Sequence, residues 1–106
     1  MSYTTTDFKR DVKEILAICE EDLQAIAAGE HREATVEQIE GTIIPEMNQL
    51  LEIIERNEIP PRGQNKRWIL SAAYITRSWN WDIWSEEKLV RKLPVLATNY
   101  MRNLQG

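Results

Sequence analysis

The chain has 106 residues, a formal net charge of −4, 42% hydrophobic residues and 28% charged ones, which fits one soluble globular domain with a single core. No apolar run approaches the roughly 20 residues that span a bilayer, and the opening "MSYTTTDFKRD" has no apolar stretch of the signal-peptide kind, so a cytoplasmic location is expected. The lone Cys19 excludes an internal disulfide and fits a reducing compartment.

The first helix is expected to start near Thr5 or Thr6, where a threonine oxygen can accept from an orphan backbone N–H and Asp7 suits the positive end of the helix dipole. Phe8, Val12, Ile15, Cys19, Leu23 and Ile26 fall at helical spacing and form one apolar stripe, widened by Leu16 and Ala27. Gly29 ends the helix, because glycine takes left-handed dihedrals without a Cβ penalty. After the polar connection "EHREA", Thr35 and Gln38 form a capping-box pattern that opens a second helix. Its stripe is Val36, Ile39, Ile43, Met47, Leu50 and Ile54, with Ile44 and Leu51 beside it. Pro45 lies inside this stripe. It has no N–H and crowds the carbonyl of Gly41, so a kink, or two shorter helices, is expected near Gly41–Pro45.

"NEIPPRG", residues 57–63, breaks the pattern, since Pro60 forces Ile59 out of the helical region. A third helix is expected from about Gln64 to Ser78, with Trp68, Ala72, Ile75 and Trp79 in one stripe. It is apolar nearly all round, as a central helix is. Ser85 caps a fourth helix, with Glu86 and Glu87 in its first turn and Leu89, Leu93, Leu96, Tyr100 and Leu104 as its stripe. Pro94 interrupts that stripe. Period-two alternation is nowhere sustained. The expected architecture is an all-α, single-domain four-helix bundle over residues 1–106, with helices two and four kinked at Pro45 and Pro94.

Three of the four tryptophans lie in "SWNWDIW", residues 78–84. At about 100° per residue, a continuous helix would place Trp79 and Trp81 about 160° apart, but Trp81 and Trp84 only about 60° apart. One face cannot hold all three. Trp79 continues the third stripe into the core, the chain turns a corner near Asn80, and Trp81 and Trp84 either seal the bundle or anchor a partner.

The residues that carry chemistry are sparse. His31, the single histidine, sits in a polar connection with no spacing that marks a catalytic base. Cys19 lies on an apolar stripe and reads as core. Zinc ligands are lacking, no Glu-x-x-His pair suggests a di-iron centre, and no glycine-rich phosphate loop occurs. No catalytic residue, metal or cofactor is therefore expected.

Charge is unevenly spread. Residues 1–58 hold fourteen Asp/Glu and five Lys/Arg; residues 59–106 hold eight Lys/Arg and three Asp/Glu. Either the two halves pack with their charges facing, or an acidic face meets a basic partner. Glu14, Glu21 and Asp22 on helix one and Glu37 and Glu40 on helix two are the candidate acidic contacts. Arg62, Lys66 and Arg67 cluster at the start of helix three, against the helix dipole. They face either Glu52, Glu55 and Glu58 across the Pro-Pro turn or a bound anion.

The central "NEIPPRGQNKRWILSAAYITRSWNWDIW" is similar to small helical immunity proteins of bacterial toxin systems, in its Pro-Pro turn, basic helix start and Trp-rich end. The resemblance implies a cytoplasmic, non-enzymatic protein that neutralises a toxin domain by covering or locking its active site. A basic toxin domain such as a nuclease is the expected partner, steered by the acidic residues and anchored by Trp81 and Trp84. Two other readings stand beside it. One is a nucleic-acid-associated or regulatory protein using Arg62, Lys66, Arg67 and Arg77, which the acidic total disfavours. The other is a helical subunit that pairs with itself.

Overall fold

The computed structural model describes residues 3–56, 58, 75, 79 and 87–104. Within them the chain is all-α. Helix α1 spans Thr5–Ala27, α2 spans Val36–Gln38, a π-helical turn covers Ile39–Ile43, α3 spans Ile44–Glu55, α4 spans Lys88–Thr98, and a second π-helical turn covers Asn99–Asn103. Among the described residues the sole extended pairing is an isolated parallel bridge between Tyr3 and Leu104.

Helix α1 begins at Thr5, and its cap is Thr4, at or just before the expected start. The run of three threonines offers several caps, and Asp7 selects among them. The Thr4 hydroxyl oxygen accepts from the Asp7 backbone N–H at 3.2 Å, and Asp7 Oδ2 accepts from the Thr4 N–H at 3.0 Å. This reciprocal pair needs the acid three residues after the cap, a geometry only Thr4 supplies. At the other end Gly29 has φ +91°, the left-handed region where a Cβ is strained. Its N–H donates to Ile26 O at 3.0 Å and that of Glu30 to Ala25 O at 2.9 Å. Together these form a Schellman motif that satisfies carbonyls the helix leaves open.

The second helical stretch opens on the expected capping box. Gln38 N–H donates to Thr35 Oγ1, and Thr35 N–H to Gln38 Oε1, both at 3.1 Å. The chain meets Pro45 with a wide turn. The Ile44 N–H reaches back to Ile39 O, one residue further than in an α-helix. Pro45 follows as the second residue of α3, so the wide turn lies where the proline ring would crowd the carbonyl of the preceding turn. Helix α4 starts at Lys88 with Glu87 at the cap position and no side-chain capping bond, later than a Ser85 cap requires. Ser85 and Glu86 lie outside the described residues. Pro94 lies inside α4.

Helix α1 packs against both α3 and α4. The core joins Phe8, Val12, Ile15 and Cys19 of α1 to Ile39, Ile43, Met47, Leu50 and Ile54. Leu89, Val90, Leu93, Leu96 and Tyr100 complete it. Phe8 stacks on Tyr100 with ring centroids 5.6 Å apart, the offset geometry that aromatic quadrupoles favour. Trp79 is buried in this cluster, and Ile75 is half-buried against it, as the third stripe predicts for both. The remainder of the expected helix 64–78 lies outside the described residues.

Candidate functional site: an acidic cleft at the end of helix α1

The buried face of α1 departs from its expected stripe in the second half. Leu23 and Ile26 are half-buried, whereas Ile18, Asp22 and Ala25 are buried. Phe8, Ile15 and Asp22 are successive residues of one heptad row, which stays on one side of a helix with only a small drift. Asp22, expected as an acidic contact for a partner, therefore reaches the interior. The heptad row carries that signal, whereas an acid by its type points to solvent.

Asp22 is 6% exposed. It forms part of a cleft of about 700 Å³ lined by Glu21, Asp22 and Gln24 of α1, Glu30 and Arg32 of the connection, and Glu87 and Lys88 at the start of α4. Arg32 Nε–H donates to Asp22 Oδ1 at 3.2 Å. The rest of the guanidinium is drawn elsewhere: Nη1 donates to the His31 carbonyl at 2.9 Å, and Nη2 is 3.8 Å from Glu30. Asp22 Oδ2 is buried with no hydrogen-bond partner. An unsatisfied buried acceptor costs about 1–3 kcal/mol, so the group stands out in so small a domain. Burial raises the Asp22 pKa; the hydrogen bond and charge of Arg32 pull it down, and Glu87 and Glu21 add to the rise.

The walls of the cleft are tied together. Glu87 accepts from the Glu33 backbone N–H at 3.0 Å, so the carboxylate expected to favour the α4 dipole instead fixes the connection after α1. Lys88 lies 3.6 Å from Glu21. One helical step along, Lys92 donates to Glu14. Two of the candidate partner contacts, Glu14 and Glu21, thus meet cations of α4, and Asp22 meets Arg32. For Glu14 and Glu21 the two halves of the chain do face each other with opposite charge, whereas the Asp22–Arg32 pair lies within the first half. Glu37 and Glu40 are exposed and pair with no cation among the described residues. Trp81, Trp84, Arg62, Lys66 and Arg67 lie outside the described residues. Arg32, Glu87 and Lys88 were not singled out from the sequence, because their roles depend on contacts between distant segments.

His31 is exposed, with its ring nitrogen 3.6 Å from Glu33. Cys19 is fully buried, and burial pushes its thiol up to about 12, so it carries almost no thiolate at neutral pH. Among the described residues no group of three or more His, Cys, Asp or Glu could hold a metal ion. No described helix is long and apolar enough to cross a membrane. Val95 and Met101 are exposed apolar residues on the far part of the C-terminal segment. Comparison with protein-family models, curated proteins and solved structures finds no match, so no function is inherited from a relative.

Proposed function

We propose that the chain is a non-enzymatic, cytoplasmic protein-binding module that recognises a basic partner, in the manner of an immunity protein that neutralises a basic toxin domain such as a nuclease. In this reading residues 64–78 supply a fourth helix, and the bundle is interrupted at Pro45 and Pro94. The observation that carries the reading is an acid excess that internal pairing does not consume. Glu20, Glu37 and Glu40 are exposed and meet no cation among the described residues. Among the described residues the cleft adds Glu21, Asp22, Glu30 and Glu87 against Arg32 and Lys88. Such a surface attracts a positively charged domain over a Debye length and speeds encounter, while a few buried anchors hold the complex. Trp81 and Trp84 are the proposed anchors.

The test has two stages. Tagged protein is purified from its native cells with whatever it holds, and the association rate with the recovered partner is then measured as NaCl is raised. The reading expects one basic domain, bound 1:1, whose on-rate falls steeply with salt. Recovery of no basic protein, or an on-rate indifferent to salt, overturns it.

A further inference from the structure

Arg32 fills the Asp22 position only in part. A carboxylate presents two oxygens, and a guanidinium presents two parallel N–H groups that match them. Arg32 gives Asp22 a single Nε–H, to Oδ1 at 3.2 Å, and spends its other nitrogens on the His31 carbonyl and Glu30. Oδ2 is buried and left without a partner, on a residue that lines the 700 Å³ cleft. The cleft can take a side chain, and among the described residues that line it four carboxylates against two cations favour a cation over an anion.

The geometry points to Asp22 as the receptor for one arginine side chain of a protein partner, with Arg32 as an internal stand-in that gives way to it. The incoming guanidinium takes both oxygens of Asp22. Arg32 turns outward onto Glu30 and the His31 carbonyl, groups it already approaches at 3.8 and 2.9 Å. Glu21 and Glu87 line the approach, and Lys88, 3.6 Å from Glu21, covers one side of it. A guanidinium suits the site better than an ammonium, because its planar fork fills two acceptors at once. The inference rests on the reading of the chain as the receptor of a basic protein, and it names the residue type that enters.

The experiment titrates the isotope-labelled full chain with butylguanidinium and, separately, with butylammonium, following the backbone amides of Asp22, Ala25, Arg32 and Lys88. Saturable shifts are expected with butylguanidinium, at an affinity several-fold above that of butylammonium. Asp22→Asn should weaken binding at least tenfold. Arg32→Gln should tighten it, because the internal competitor is gone; a pair that merely braces the fold predicts no gain. Glu21→Gln and Glu87→Gln, which leave Asp22 in place, should each weaken binding several-fold and decide the matter if Asp22→Asn does not fold. Absence of saturable shifts at these amides, or an Arg32→Gln variant that binds no tighter, overturns the assignment. A nona-arginine peptide separates the two levels. If it binds through Glu37 and Glu40 and ignores Asp22→Asn, the Asp22 site falls and the acidic-face reading stands. If butylguanidinium binds at Asp22 and the peptide does not bind, the site stands and the acidic-face reading falls.

Discussion

The indole N–H of Trp79 donates to Oε1 of Gln38 at 3.1 Å, and the same oxygen accepts the backbone N–H of Thr35 at 3.1 Å. One side-chain oxygen thus closes the cap that starts α2 and satisfies a buried tryptophan from a remote part of the chain. Loss of that oxygen leaves two donors without a partner, one of them on a side chain only 5% exposed.

Gln38→Ala should therefore destabilise the protein by about 1–3 kcal/mol, the cost of an orphaned buried donor. Gln38→Glu keeps an acceptor oxygen at that position and should lose less. Urea denaturation followed by tryptophan fluorescence measures both. Equal losses in the two variants would show that the oxygen is not what matters.

Asp22 sets a pH dependence of definite sign. Its folded-state pKa is raised, chiefly by burial, so the native state binds its proton more readily than the unfolded chain does. Stability from this group rises as pH falls from the folded value towards the ordinary Asp value of about 3.9. Asp7 works in the opposite direction. Its pKa is lowered by the Thr4 backbone and hydroxyl, and its contribution is present above the unfolded value and lost as pH falls through the folded one. Asp7 is common to wild type and Asp22→Asn, so it cancels between them. The stability of wild type relative to Asp22→Asn should increase on going from pH 7 towards pH ~4; a flat difference in chemical denaturation would contradict the shift.

Lys88 and Lys92 hold Glu21 and Glu14 in pairs whose side chains are 45–63% exposed. Exposed pairs contribute little, about 0–1 kcal/mol. Lys88→Gln and Lys92→Gln should each shift stability by less than about 1 kcal/mol, while releasing an acid to the surface. Association with a basic partner should then be faster at low salt, which stopped-flow mixing would detect.

The Cys19 thiol should resist modification in the native protein. It is fully buried with its pKa raised to about 12, so a thiol reagent such as DTNB should react only as fast as the protein opens. Rapid labelling without denaturant would place the thiol outside the core.

What the sequence revealed and what it hid divide along a physical line. Local geometry was readable. The Thr35–Gln38 box, the Gly29 stop and the stripe from Ile39 to Ile54 depend on residues a few positions apart, and the structure places them as the spacing requires. The disturbance before Pro45 was readable as well, though its form, a widened turn, was one of several a proline can impose. Asp22 is legible only from its place in the heptad row, because an acid by its type points to solvent. The partners of Glu14, Glu21 and Glu33 lie on α4 or at its cap, more than fifty residues away in each case. No local pattern encodes them.

The stacking of Phe8 on Tyr100 has a temporal side. A ribosome makes Phe8 well before Tyr100, so the flank of α1 that α4 covers stays open until α4 has been made. The hairpin of α1 with α3 can form first, and α4 can dock only once it has followed them out. Contacts between distant segments also slow folding, since the connecting loop must close before they are gained. A newborn chain of this kind is most exposed to wrong association in the interval when α1 and α3 have met and α4 has not yet arrived.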